Sequence, residues 1–263
     1  MNRLPTGMYL PGNSIIHRLD CRIKLLALLI VIATVLLVNS LTGYGIMLAF
    51  TVVVILLTGI SLSTALNSAN KLVWFFIVIL LMNTVFYSPD KAWFSFWIFN
   101  PSLSGLMQGI DVVLRVLLVL VISNVLTSAT SPMEITNALE SLMSPLKFIG
   151  IPTEQIAMIL SIAIQFIPTL SKETDMIRKA QMARGARFDS RKIFEKAEAV
   201  LPLVVPIFFA AFKRADELSL AMEARGYRTA SGRTKKEFSP LSYKDYSALA
   251  IVMALCAVQI MIR

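Results

Sequence analysis

The chain has 263 residues, 56% of them hydrophobic and 16% charged, with a mean hydropathy of +0.72. Soluble domains average about 45–50% apolar and about 25% charged residues, so an ordinary water-surrounded domain is excluded and a multi-spanning membrane protein is expected. The net charge of +9 fits nucleic acid, anionic lipid or an uneven distribution across a membrane, and position decides among them. Two cysteines, Cys21 and Cys256, cannot build a disulfide framework or a four-thiolate metal site, and a single histidine, His17, removes His-rich metal chemistry. The first twelve residues hold two prolines and two glycines but no apolar core, so no cleavable signal is expected.

Residues 25–70 contain no charge over 46 positions. One helix needs about 20 apolar residues to cross the hydrocarbon, so this stretch holds two spans, 25–38 and 46–60, broken at the turn-rich residues 39–45. Lys71 precedes a third run, 72–87, opened by Trp74; a fourth covers 110–128 and a fifth 246–262. Between the third and fourth, Trp93, Phe94, Phe96, Trp97 and Phe99 read as an interfacial aromatic belt.

Basic residues set the orientation. Arg3, Arg18, Arg22 and Lys24 precede the first span, and 17 of the 25 basic residues lie in 128–244, after an even number of crossings. The positive-inside rule makes both regions cytoplasmic. That segment also carries 12 acids, so topology accounts for its charge and nucleic acid is not expected as a partner. The apolar runs 156–170 and 199–212 are 15 and 14 residues long, a length more typical of core or interfacial helices than of spans. A hairpin through the membrane would also strand Lys172, Arg178, Lys179, Arg184, Arg187, Arg191, Lys192 and Lys196 outside. Both runs are therefore read as apolar faces of amphipathic cytoplasmic helices.

The expected fold is an all-α membrane protein of about five transmembrane helices plus a cytoplasmic unit of about three long amphipathic helices. Its divisions are a cytoplasmic segment 1–24, four spans within 25–128, cytoplasmic helices in 129–244 and a final span in 245–263. Ser131-Pro132-Met133-Glu134 opens the first cytoplasmic helix with a hydroxyl cap, a proline at the first position and an acid in the first turn. That helix is expected to stop near Gly150. The second opens at Pro152-Thr153-Glu154 and ends at Ala183-Arg184-Gly185. The third runs from about 190 to Ala224-Arg225-Gly226, kinked by Pro202 and Pro206.

The two helix ends share Ala-Arg-Gly-x-Arg, 41 residues apart. Arginine faces the negative end of the helix dipole, and glycine takes the left-handed position beyond the cap. Either copy alone is an ordinary helix end. Two on one unit predict two like receptor sites, each taking a planar guanidinium.

Other chemistry is missing. There is no Gly-x4-Gly-Lys-[Ser/Thr] phosphate loop, no His-Glu-x2-His, no Cys-x2-Cys and no Gly-x-Ser-x-Gly. No catalytic residue, metal site or cofactor is expected. Asp111 and Arg115, four apart in the fourth span, read as a self-neutralising structural pair. Asn83 and Asn124 line a polar path or bond between helices. A secondary transporter would need more intramembrane polar residues and an inverted repeat.

The chain closely resembles the transmembrane T component of energy-coupling factor (ECF) transporters. The resemblance rests on Tyr9-x-Pro11-Gly12-x-Ser14-x2-His17-Arg18-Leu19-Asp20-x-Arg22-x-Lys24-Leu25, on the order of spans and coupling helices, and on the two Ala-Arg-Gly tips. Cys21 and Ile23 stand where the family carries proline and threonine. The resemblance implies partners: two homologous ATPases, one per tip at Ala183, Arg184, Gly185 and at Ala224, Arg225, Gly226, and a substrate-binding membrane S component. It further implies that Ile159, Ala163, Phe166, Ile167, Leu203, Ile207 and Phe208 hold the S component. The chain would sit as a multi-pass protein of the cell membrane, relaying ATP-driven motion for uptake of vitamins or other micronutrients.

Overall fold

The computed structural model describes residues 12–87, 102–186, 188, 193–227 and 241–262. The expected aromatic belt and the Tyr9–Pro11 part of the N-terminal motif lie outside them. All regular structure among the described residues is helical, as composition requires. In chain order the helices are α1 (Cys21–Leu37), α2 (Leu41–Thr58), α3 (Leu62–Lys71), α4 (Val73–Phe86), α5 (Leu103–Ser128), α6 (Pro132–Leu142), α7 (Thr153–Ala183), α8 (Ile193–Ala224) and α9 (Tyr243–Ile262), with a 3-10 segment at Ser144–Ile149. The chain divides into two compact units, Met1–Ala138 with Ser239–Arg263 and Leu139–Phe238.

Four described helices are long and apolar enough to cross a membrane: α2, α5, α7 and α9. The α3–α4 pair makes a fifth if its 56° bend is counted within one span. One of these assignments, α7, differs from the sequence expectation. α1, expected as the first span, has 17 residues, the short end of the roughly 17–25 that cross a membrane. α7 meets the criteria of length and composition through its N-terminal half, although it is the least apolar of the four and 6% of its window is buried.

In the first unit α5 is the hub, packing on α1, α2, α3 and α4, while α9 packs on α1. Val31, Val35, Tyr44, Met47, Leu118, Ile122 and Val252 form one buried cluster across α1, α2, α5 and α9. Ile55, Ala65, Val121 and Val125 form a second across α2, α3 and α5. Outward, Leu29, Leu36, Leu48, Leu56, Leu81 and Ile251 are exposed. Helices apolar around their whole circumference suit a lipid surround rather than water.

The α4–α5 contact is close. A Cβ on Gly105 would lie 2.6 Å from the carbonyl oxygens of Asn83 and Tyr87, and one on Gly109 3.3 Å from the Leu80 oxygen. The pair forms a Gly-x3-Gly face, which lets membrane helices approach to backbone contact.

Polar side chains fasten helix ends across the bundle. Lys24, buried in the first turn of α1, donates from Nζ to the oxygens of His17 (3.1 Å) and Ala129 (3.3 Å), the latter being the cap of α5. Asp245 accepts from the amides of Asp20 (2.8 Å) and Ser242 (2.7 Å), tying the start of α9 to the start of α1. At the other end of α1, Arg115 Nη2 donates to the Val38 oxygen (2.8 Å) and to Asn39 Oδ1 (3.0 Å). The expected Asp111–Arg115 pair does not form; a helix C-terminus offers unpartnered carbonyls and a negative dipole end, and the guanidinium satisfies both. Asn124 Nδ2 donates to the oxygens of Thr64 and Ala65, both at 2.9 Å, joining α5 to α3. Asn83 bonds within its own helix, to the Ile79 oxygen.

α6 opens as expected: the Glu134 amide donates to Ser131 Oγ (3.2 Å) and the Ser131 amide to Glu134 Oε2 (3.4 Å), a reciprocal cap. It stops at Leu142 rather than near Gly150. Pro145 disfavours helical backbone at Ser144, and the chain continues as the 3-10 segment. α3, capped by Ser61 Oγ at the Thr64 amide (3.3 Å), was not anticipated.

Candidate functional site

Both Ala-Arg-Gly tips end their helices with the same hydrogen bonds. At α7 the Gly185 amide donates to the Met182 oxygen and the Ala186 amide to the Gln181 oxygen, both 3.0 Å; at α8 the Gly226 amide donates to Glu223 (2.8 Å) and the Tyr227 amide to Met222 (2.9 Å). These are two Schellman caps, the bond from five residues back enclosing the one from three back. Their glycines have φ of 93° and 68°, where a side chain is strained. Ala183, Arg184, Ala224 and Arg225 are exposed. Neither guanidinium forms a hydrogen bond or ion pair with another described residue. Arg187 and Arg228, the last members of the two repeats, lie outside the described residues.

Replacing Gly185 or Gly226 by alanine is expected to loosen that tip alone. A non-glycine residue in the left-handed region costs roughly 1–2 kcal/mol. Amide protection at Ala186 or Tyr227 should then fall about five- to thirtyfold in hydrogen exchange, with no change at the other tip. Equal protection in the variant and the parent chain would refute the cap geometry.

The two helices run antiparallel. Arg214 Nη2 bonds Glu173 Oε2 at 3.3 Å, and the Tyr227 hydroxyl meets Met158 Sδ at 2.9 Å, so positions later in α8 meet positions earlier in α7. The tips therefore point to opposite ends of the pair, roughly 35 Å apart at 1.5 Å per residue. Glu173 and Arg214 are also 41 residues apart, the same offset as the tips. In that register Leu160, Lys172, Asp175 and Ala180 recur as Leu201, Lys213, Asp216 and Ala221, without a gap. Equivalent positions thus meet where the helices cross, an approximate two-fold relation within one chain. The tip motif alone does not reveal this, although the 41-residue register was present in the sequence to be found.

The seven apolar residues singled out on α7 and α8 divide by exposure. Ile159 (65%), Ile167 (63%) and Phe208 (61%) are exposed, as is Ala163, whereas Phe166 and Ile207 are half-buried. Leu203 is buried with Phe188, and Ile177, Ala186 and Ile207 pack on the two. Leu203 therefore supports the helix pair from within and does not lie on the exposed face. Phe209 and Phe212 do, and Phe208 and Phe212 stack edge to face with centroids 4.7 Å apart. Phe209 and Phe212 both lie within the run 199–212 that the sequence marks as the apolar face of α8.

Among the described residues no group of three or more His, Cys, Asp or Glu is placed to hold a metal ion. What the site offers is two cationic helix tips and an uncovered apolar surface.

Comparison with known proteins covers nearly the whole chain. A family model described as "Cobalt transport protein" matches residues 12–236. The chain is 38% identical over 263 residues to the energy-coupling factor transporter transmembrane protein EcfT of Bacillus subtilis, spanning 100% of this chain and 99% of that protein. It is 37% identical over 263 residues to EcfT 1 of Listeria monocytogenes, with the same two shares of 100% and 99%. The protein of that name from Acidaminococcus fermentans is 43% identical over 229 residues, which are 87% of this chain and 85% of the relative.

Proposed function

The chain belongs to the family of energy-coupling factor transporter transmembrane proteins, and from that premise we propose that it is the coupling subunit of an ATP-driven importer. It is a multi-pass membrane protein with no catalytic role of its own. In this reading Arg184 and Arg225 each enter a groove on one of two homologous ATPases, which bind and hydrolyse the ATP. Closure of the ATPase pair draws on both tips, and α7 and α8 carry the motion towards a separate S component that captures the substrate. Ile159, Ala163, Phe166, Ile167 and Phe208, with Phe209 and Phe212 beside them, form the apolar surface on which that subunit rests. The cargo is a vitamin or another micronutrient, selected by the S component. The N-terminus and the helices α6–α8 face the cytoplasm, and the membrane is the cell membrane.

The observation that carries this reading is the pair of matching arginine caps at opposite ends of an antiparallel helix pair whose equivalent residues meet at the crossing. Two homologous subunits present two like grooves, and a two-fold related pair of tips answers that arrangement. A guanidinium suits a carboxylate or a cluster of carbonyls in such a groove because its planar donors engage two acceptors at once.

Purification of the full chain from its own membrane in mild detergent, followed by mass spectrometry, tests the proposal. Two related ATPases with one or more small membrane proteins should accompany it. A chain that emerges alone, and moves solute by itself when reconstituted, would overturn the coupling role.

A further inference from the structure

The first unit contains a cavity of about 450 Å³ between α1, α2, α5 and α9, bounded by Ile23, Leu28, Val54, Val125 and Ile251 among others. That volume lies within the roughly 300–1,000 Å³ of small-molecule sites. Its wall is almost wholly apolar, and its charged lining residues are two lysines, Lys24 and Lys244. They come from the first turns of different helices, α1 and α9, and both line the cavity at the end of the bundle where Ala129 closes α5. The carboxylates nearby, Glu134, Asp20 and Asp245, are already engaged with backbone amides: Glu134 with Ser131 (3.4 Å), Asp20 with Arg22 (2.9 Å), and Asp245 with Asp20 and Ser242. Lys24 gives two of its three ammonium hydrogens to the carbonyls of His17 and Ala129, and the third has no acceptor among the described residues. Lys244 is exposed.

We propose that this cavity binds an anionic phospholipid, with one acyl chain between the helices and the phosphate at Lys24 and Lys244. The shape of the chemistry selects the occupant. A free phosphate would leave the apolar wall uncovered, and a lipid without net charge would bring no surplus negative charge to the two lysines. An anionic lipid meets both, and a basic pocket between spans at the headgroup level is a known mode of lipid recognition. The end of the bundle carrying both lysines is also the end carrying Arg18 and Arg22, which add to the attraction for a negative leaflet. This site is independent of the arginine tips, since it lies wholly in the other unit.

Native mass spectrometry of the full chain in detergent doped with dioleoyl phosphatidylglycerol, dioleoyl phosphatidylcholine or inorganic phosphate tests the proposal. The phosphatidylglycerol adduct should survive and the phosphatidylcholine adduct should not. Lys244→Gln should weaken retention about fivefold, the factor to which about 1 kcal/mol per lysine at an anionic surface corresponds. Ala248→Phe, which fills the cavity, should abolish retention while circular dichroism stays helical; because Lys244 is exposed and Ala248 lies on the cavity wall, neither change removes a helix-end clamp. Equal retention of the two lipids would overturn the proposal, as would an unaltered adduct in Lys244→Gln. So would displacement of the lipid by millimolar phosphate, which would reduce the site to a surface anion contact. Loss of the lipid once partner subunits are bound would make the cavity a protein contact instead.

Discussion

The double variant Arg184→Glu/Arg225→Glu is expected to strip both ATPases from the purified chain while α7 and α8 remain helical. Truncating one member of a desolvated, hydrogen-bonded charge pair costs about 2–5 kcal/mol, which is roughly thirtyfold or more in affinity for each tip at 1.4 kcal/mol per decade. Reversal adds repulsion to that loss. The single variants are informative because the tips are about 35 Å apart by helix rise: each should release one ATPase and retain the other. Both side chains are exposed caps without intramolecular partners among the described residues, so the substitutions leave the chain's own packing alone. Measured affinity of the double variant equal to that of the parent chain would end the tip-docking account. Retained ATPase binding with lost transport would instead place the arginines in the relay of motion.

The second large effect is expected at Gly105. A side chain there meets two backbone oxygens, those of Asn83 and Tyr87, at 2.6 Å. Backbone cannot rotate away as a side-chain tip can, so Gly105→Val must push α4 from α5. Overpacking of this kind costs about 1–3 kcal/mol, and the loss of the closest helix contact in the bundle puts the cost at the upper end. The variant should show a clearly lowered midpoint of thermal aggregation in detergent, and a smaller folded yield. Gly45→Ala is the matched control, because a Cβ there has nothing within 4 Å. A Gly105→Val chain as heat-resistant as the control would show that the α4–α5 approach is not needed for stability.

Much of this architecture can be read along the chain, for reasons that are local. α2 follows from uncharged length, α5 and α9 from long apolar runs, α6 from its serine, proline and glutamate, and both tips from glycine after arginine. Each depends on residues a few positions apart. The features that escaped depend on distant residues. Lys24 meets Ala129 across 105 positions, Arg115 meets Val38 across 77, and Asp245 meets Asp20 across 225, and no periodicity announces such partners. Arg115 is instructive: its neighbour Asp111 offers a local answer, and the end of α1 offers a better one. Leu203 has the pattern of an outward apolar residue, yet Phe188 beyond the tip of α7 covers it. α3 was hidden because its face is polar without charge, so it merged with the uncharged run around it. Its start was nonetheless legible in Ser61, three residues before Thr64.

The 41-residue register between α7 and α8 gives the chain a built-in experimental control. A homodimer obtains two equal arms by using one gene twice, so its arms cannot be altered separately. Here the arms are encoded once each, and any substitution on one has a counterpart on the other, as Lys172 has in Lys213 and Asp175 in Asp216. A difference in outcome between such twins measures how unlike the two receiving surfaces are. The first place to compare is just past the glycines, where the twins themselves diverge: Ala186 follows one and Tyr227 the other.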